Sequence, residues 1–187
     1  MSSTLGLVLV LFLILAGAAG TPLGLAANHQ NLKYPRRDLA GTFVVSPSVS
    51  RPVIIVGEAL RGEADALAAA LAARAGQAPP VVLDGEAVRG WCAGLKDEYR
   101  NVPVILIGNL DQNQAVFQLY ARFLTNADAA TPGPEGKLIQ FIPNRNGPGS
   151  HALIVAGGSE AGTGKAVREL IATIKDQPAD SPLDLAG

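Results

Sequence analysis

The sequence is poor in the side chains that most often bind metals or build disulfide frameworks. Its 187 residues include one cysteine, two histidines, 5% aromatic residues and only 17% charged residues. The single cysteine, Cys92, excludes an intrachain disulfide, and its place in an apolar pattern with helical spacing predicts a small buried side chain. His29 and His151 have no cysteine or second histidine at ligand spacing, so we predict no metal site.

An excess of charge of either sign is also lacking. Fifteen Lys and Arg are balanced by sixteen Asp and Glu, which gives a formal net charge of −1. No basic cluster occurs beyond Lys33, Arg36 and Arg37. Because nucleic-acid binding depends on a dense basic surface, this balance argues against nucleic acid as a partner.

The chain begins with a long apolar leader. Every residue from Leu5 to Ala19 is apolar or glycine, and no charged residue occurs before Lys33. The run ends in Ala16-Gly17-Ala18, which matches the cleavage site of a secretory signal. The uncharged stretch as far as Ala27 is also long enough to span a bilayer. We therefore expect export to the periplasm or the extracellular space, with a leader that is either a cleaved signal peptide or an uncleaved membrane anchor.

The composition along the chain predicts one folded domain. We place the leader at residues 1–20 and a polar, proline-containing linker at residues 21–39. Residues 40–176 have the usual length of a domain with one core. Residues 177–187 are polar and contain proline, as expected of a tail or interdomain linker.

Short apolar runs alternate with apolar residues at helical spacing. The runs predict strands at Thr42–Val45, Pro52–Val56, Val81–Leu83, Val104–Ile107, Leu138–Ile142 and Ala152–Ala156. The helical spacing predicts helices over Leu60–Ala75, Val88–Tyr99, Val116–Phe123 and Val167–Ile174. This alternation predicts a three-layer α/β sandwich, in which helices flank a mostly parallel, mixed sheet and the last two strands form an antiparallel pair.

Two motifs near the last strand fall short of a catalytic set. A phosphate-binding loop would need a glycine in place of Ser159 and a hydroxyl in place of Ala166. A nucleophile elbow nearly fits Gly157-Gly158-Ser159-Glu160-Ala161, but no histidine lies beyond His151 to act as the base that follows the serine. We therefore predict that Ser159 is the N-cap of the last helix.

A dinucleotide site is a third partial match. Gly57-Glu58-Ala59-Leu60-Arg61-Gly62 follows a buried strand, and Asp84 lies 22 residues after Gly62, at the end of the next strand (84 minus 62). Ala59 replaces the glycine that lets the backbone approach a pyrophosphate, and Glu58 repels phosphate. A dinucleotide-binding enzyme is therefore disfavoured, and we predict no cofactor.

The loops at the carboxyl ends of the predicted parallel strands gather on one edge of the sheet, where ligands of open α/β sheets bind. The candidate ligand-binding residues at this edge are Glu58, Asp84, Asn109, Asp111 and Asn113. Such residues could bind sugar hydroxyls or a cation. The alternative is that they cap helices, and Asp111 and Ser159 fit that role.

The second half of the domain carries a family resemblance. The residues that carry it are Ile107-Gly108-Asn109, Asn113, Leu119-Tyr120, Asp128, Pro132-Gly133, Gly136 and Ala152-Leu153-Ile154-Val155-Ala156-Gly157-Gly158-Ser159 with Gly162. This stretch resembles the amino-terminal α/β domain that precedes the toroid in some heparinase II/III-like polysaccharide lyases. That domain is similar in turn to the amino-terminal domain of α-glucuronidases and β-hexosaminidases. Thr131 departs from the aromatic residue expected before Pro132-Gly133.

The resemblance implies a non-catalytic accessory domain of an exported, carbohydrate-active protein. In those enzymes a later domain performs the lyase or hydrolase chemistry, and nothing in this chain matches its catalytic residues. The implied partners are a polysaccharide and a downstream catalytic domain, and the chain would then be a fragment of a longer protein. A stand-alone extracellular protein that binds a glycan or a cation remains the alternative.

Overall fold

The computed structural model describes residues 42–43, 51–177 and 183–184. The chain divides into two units, Met1–Asp38 and Leu39–Gly187, and all described residues belong to the second. The predicted leader and linker lie outside the described residues. Within the described part, no helix is long and apolar enough to cross a bilayer.

Five strands form the central sheet of the second unit. The strands are β2 (Val53–Val56), β3 (Val81–Leu83), β4 (Val104–Ile107), β5 (Lys137–Ile142) and β6 (Ala152–Gly157), in the spatial order β3-β2-β4-β6-β5. All neighbours pair in parallel except β5 and β6, which are antiparallel. The predicted α/β fold with a mixed sheet is therefore confirmed. A separate pair of short strands, β1 (Thr42–Phe43) and β7 (Leu183–Asp184), brings part of the predicted tail beside the start of the domain.

Two long helices cover one face of the sheet. They are α1 (Arg61–Ala75) and α5 (Glu160–Asp176), and together they form what we call the long-helix layer. Alternate strand residues face this layer, because side chains in a strand point to opposite faces in turn. These residues are Ile54, Val56, Ile105, Ile107, Leu153 and Val155. Gly76 ends α1 with a left-handed φ of 77°, a backbone conformation that glycine adopts without steric cost.

Short segments cover the opposite face. This short-element layer contains α2 (Asp84–Ala87), α3 (Asp97–Arg100), a 3₁₀ turn (Gln114–Val116) and α4 (Phe117–Tyr120). The strand residues that face it are Val53, Ile55, Val104, Leu106, Ala152, Ile154 and Ala156. A continuous core therefore lies on each side of the sheet, but regular helices build only one of the two layers.

The helix predicted over Val88–Tyr99 is wrong. Val88 and Leu95 instead form an antiparallel bridge that closes a hairpin, and the N–H of Ala93 donates to the carbonyl of Gly90 at its tip. Glycine weakens a helix and favours turns, so Gly90 and Gly94 outweigh the apolar spacing. Cys92 lies in this turn with a left-handed φ of 61° and is only partly buried, which corrects the prediction of a buried helical cysteine.

The third predicted helix exists but is shorter than its apolar pattern. The 3₁₀ turn leads directly into α4, and α4 ends at Tyr120 rather than at Phe123. Phe123 has a left-handed φ of 57°, and its side chain is 87% exposed. Phe123, which extended the apolar helical pattern in the sequence, thus lies just beyond the helix and faces solvent.

Candidate functional site

The candidate residues do gather at the carboxyl edge of the sheet. Glu58 follows β2, Asp84 follows β3, and Asn109, Asp111 and Asn113 follow β4. β3 lies on one side of β2 and β4 on the other, so the strand order reverses between β2 and β4. Open α/β sheets bind ligands in the crevice at such a reversal. The side chains and backbone atoms that line this crevice therefore decide what the edge can bind.

Asn113 fills the crevice between β2 and β4. Its side chain is 1% exposed, and Nδ2 donates to the carbonyl of Ile55 at 2.9 Å and to that of Ile107 at 3.0 Å. Its Oδ1 accepts the N–H of Ala115 at 3.0 Å, which caps the 3₁₀ turn. The amide thus uses both of its N–H groups to join the two central strands.

Backbone atoms close the rest of this crevice. A Cβ atom placed on Gly57 would lie 2.1 Å from the carbonyl oxygen of Gln112, so only glycine allows this approach. A dinucleotide fold needs the space above that glycine for a pyrophosphate. Here the Gln112 backbone occupies it, which adds a steric argument to the sequence argument against such a site.

Asn109 joins the next pair of strands in a similar way. It is 1% exposed, and its Nδ2 donates to the carbonyl of Gly157, the last residue of β6, at 2.8 Å. Its Oδ1 accepts the N–H of Asp111 at 2.9 Å. The amide therefore shapes the loop after β4 and has its oxygen and nitrogen bonded within the domain.

Two residues that the sequence reasoning missed complete this network. The hydroxyl of Thr163, fully buried in α5, accepts the N–H of Gly157 at 2.9 Å. The same hydroxyl donates to Oε1 of Gln112 at 2.8 Å, and Oε1 also accepts the N–H of Asn109 at 3.2 Å. No local motif marks Gln112 or Thr163, because the bond that joins them links residues 51 positions apart in the chain.

The three acidic candidates differ from one another. The Asp84 carboxylate accepts the N–H groups of Gly85 and Gln114, each at 2.7 Å, and so supports the start of the 3₁₀ turn. Glu58 and Asp111 are exposed at the surface. The prediction of a cap by Asp111 is wrong, because Asn113 caps that turn. Within the described range, no group of three or more His, Cys, Asp or Glu side chains could hold a metal ion.

Ser159 is an N-cap, as predicted. Its Oγ accepts the N–H of Gly162 at 3.1 Å and donates to the carbonyl of Pro134 at 2.8 Å. His151 lies at the opposite end of β6, where its Nδ1 accepts the N–H of Asn144 at 3.3 Å. With a rise of about 3.3 Å per strand residue, the two side chains are roughly 20 Å apart. They cannot act together as a nucleophile and its base.

One titratable pair lies at the end of α4. The hydroxyl of Tyr120 donates to Oδ2 of Asp128 at 2.8 Å. This bond lowers the pKa of Asp128, helped by the N–H groups of Thr131 and Ala130 and opposed by desolvation. The same bond raises the pKa of Tyr120. Because Asp128 also accepts these two loop N–H groups, the pair holds the loop that follows α4.

Comparisons with known proteins leave the family open. Neither a protein-family model nor a curated protein matches this chain. The resemblance to the accessory domain of polysaccharide lyases therefore rests on the residues alone and stays a prediction.

Proposed function

We propose that this chain is a non-catalytic accessory domain of an exported, carbohydrate-active protein. The observation that carries the proposal is the closure of the carboxyl edge. At the strand reversal, where this fold class places its ligands, the amides of Asn109 and Asn113 bond to strand carbonyls and are buried. An edge built in this way uses both of these amides to fix the strands rather than to bind a substrate, as suits a domain that supports chemistry elsewhere.

The surface that would contact the catalytic module lies on the short-element layer. Trp91, at the tip of the hairpin, is 85% exposed, and its ring centroid lies 6.4 Å from that of Phe117 at the start of α4. Phe123 lies three residues beyond the end of α4 and is 87% exposed, whereas Phe117 is half-buried. We call Trp91, Phe117 and Phe123 the aromatic face. Exposed aromatic side chains such as Trp91 and Phe123 are typical of interaction surfaces.

The backbone at Phe123 gives a second reason to assign a role to this face. The N–H of Phe123 donates to the carbonyl of Tyr120, and the N–H of Leu124 donates to that of Leu119. This pair of bonds is typical of a helix C-terminus at which glycine is favoured in the position that Phe123 occupies here. A side chain in this left-handed conformation costs about 1 to 2 kcal/mol. A phenylalanine that is strained and exposed contributes little to folding, which favours a role in binding.

The proposal can be tested with the chain's one tryptophan as a reporter. The probe is the catalytic module encoded downstream of this domain or by a neighbouring gene. We expect binding to shift the Trp91 emission to shorter wavelength as the indole leaves water. We expect Phe123→Gly to raise the free energy of unfolding by about 1 kcal/mol while weakening module binding about tenfold. Phe123→Ala should weaken binding without the gain in stability.

The controls separate the alternatives. Arg168 is an exposed residue of α5, in the opposite layer, so Arg168→Ala should leave binding of the module unchanged. A Trp91 shift with neutral or acidic polysaccharide but not with the module would favour the stand-alone glycan-binding protein. The absence of both responses would refute the proposal. A reproducible hydrolase or lyase activity of this chain, lost in Ser159→Ala with folding intact, would contradict the non-catalytic role.

A further inference from the structure

The amino edge of the sheet holds a buried arginine without an acidic partner. Arg145 lies in the loop between β5 and β6, and only 4% of it is exposed. Its Nη2 donates to the carbonyls of Tyr99 at 2.7 Å and Val102 at 3.0 Å, while its buried Nε has no hydrogen-bond partner. Nη2 thus helps to hold the fold together, and the Nε–H is left without a partner.

A second arginine lies beside it. Nη1 of Arg122 donates to the carbonyl of Arg145 at 2.7 Å and to Oδ1 of Asn146 at 3.2 Å. Neither arginine forms an ion pair with an acidic side chain of the described part of the chain. Burial first, and Arg122 second, lower the pKa of Arg145 to about 10, so the guanidinium keeps its charge at neutral pH. Two neighbouring cations therefore have no compensating carboxylate among residues 51–177.

The loop that holds Arg145 is rigidly built. The N–H of Arg145 donates to the carbonyl of Ser150 at 3.0 Å, and the Oγ of Ser150 accepts the N–H of Asn146 at 2.9 Å. Oδ1 of Asn144 accepts the N–H of Gly149 at 3.1 Å, and Asn144 itself has a left-handed φ of 48°. A strained and self-bonded loop that positions an uncompensated charge is typical of a preorganised binding site.

We infer that Arg122 and Arg145 form a binding site for an oxyanion group, a carboxylate or a sulfate, at the amino edge of the sheet. Guanidinium groups match the planar geometry of such anions and bind them with charge-assisted hydrogen bonds. An anion here would compensate the buried charge, which is costly when unpaired. The site lies at the opposite edge from the candidate ligand-binding residues and does not depend on the proposed function.

Sulfate is the first probe, measured on the full chain. We expect the melting temperature to rise saturably with sodium sulfate, relative to sodium chloride at equal ionic strength, as binding to the native state requires. Nonspecific stabilisation by sulfate grows without saturation and is therefore distinguishable. In a ¹⁵N–¹H spectrum, the Nε–Hε signal of Arg145 should move over the same concentration range. A purely structural arginine would show no such movement.

Variants decide whether the two arginines are responsible. Arg122 is exposed, so Arg122→Gln should fold and should weaken sulfate binding about tenfold, as expected for the loss of one charge-assisted bond. Arg168→Gln, an exposed arginine on α5, is the matched control and should bind sulfate as the wild type does. A wild type without a saturable response, or an equal response in Arg122→Gln, would overturn the inference.

Two polymers that carry the same carboxylate group can identify the source of the anion. Polyglutamate presents carboxylates on a peptide and carboxymethyl-dextran presents them on a saccharide, with neutral dextran as the control. Tighter binding of the first assigns the site to an acidic protein segment, and tighter binding of the second assigns it to an acidic glycan. Equal binding of neutral dextran would count against an oxyanion site.

Discussion

The two layers that cover the sheet bury similar apolar residues but are stabilised differently. The long-helix layer consists of α1 and α5, whose backbone hydrogen bonds lie mainly within each helix and whose side chains pack on the sheet. In the short-element layer, polar side chains hold the backbone in place, as Asn113 does at the 3₁₀ turn and Gln118 does by donating to the carbonyl of Cys92. Packing should therefore dominate the energetics of the first layer, and individual hydrogen bonds those of the second.

Both exposed large hydrophobic side chains of the described residues belong to the short-element layer, as does the turn with the left-handed Cys92. A layer of short segments can present such residues because no continuous helix fixes their direction. The long-helix layer has no comparable freedom. This difference suggests that the long-helix layer mainly provides stability and that the short-element layer mainly provides recognition.

The largest expected effect comes from a matched pair on β4. Ile105 and Leu106 are each 1% exposed, but Ile105 faces the long helices and Leu106 the short elements. Each loses the same number of carbons on substitution by alanine. We expect Ile105→Ala to cost about 4 kcal/mol and Leu106→Ala about 2 to 3 kcal/mol, because short segments can move to fill part of the cavity.

Urea unfolding midpoints with unchanged slopes would measure this difference. Equal losses would mean that the short-element layer is as rigid as the helices. A midpoint of Ile105→Ala that does not move would remove β4 from the core.

The next effect tests the hydrogen bonds of the short-element layer. Asn113→Ala should cost about 3 kcal/mol, since it removes the two amide donors to the buried carbonyls of Ile55 and Ile107 and the cap of the 3₁₀ turn. Asn113→Asp keeps an acceptor for the cap but removes both donors, so we expect a loss at least as large at neutral pH. Asn126→Ala is the control, because Asn126 is exposed on the same layer. If Asn113→Asp were as stable as the wild type, the donor role of the amide would be excluded.

These contrasts also explain how far the sequence predicts the structure. The strands were predictable because β2, β4 and β6 are short apolar runs whose burial is encoded locally. The helix over Val88–Tyr99 was not, because apolar residues of a bridged hairpin can reproduce helical spacing. Topology predicted that Asn109 and Asn113 would share an edge. Their bonding partners could not be predicted, since Ile55 and Gly157 are distant in sequence and only the folded sheet brings them within reach.

The burial of the Arg145 charge could not be predicted from the sequence either. Arg145 lies between the predicted strands Leu138–Ile142 and Ala152–Ala156, but composition gives no sign that this arginine is buried. Its partners, Tyr99 in α3 and Val102 just after that helix, offer backbone carbonyls, which carry no sequence signal. A balanced net charge therefore conceals a local pair of cations that forms only when the chain folds.

The smallest expected effect concerns pH and the short-element layer. The hydroxyl of Tyr120 lowers the pKa of Asp128 below its ordinary value of 3.8 in the folded state. A carboxylate with a depressed folded pKa stabilises the native state above the unfolded pKa, and this contribution is lost as the pH falls through the folded pKa.

The free energy of unfolding should therefore decrease as the pH falls below about 5. Tyr120→Phe removes the hydrogen bond that lowers this pKa and Asp128→Asn removes the titrating carboxyl, so each should flatten the dependence. Urea unfolding between about pH 5 and pH 3 measures the slope, and Asp111→Asn, which removes a neighbouring exposed carboxylate, is the control. An unchanged slope in Tyr120→Phe would show that the loop N–H groups alone set the pKa of Asp128, and the hydrogen bond from α4 would then contribute nothing to the stability of this layer.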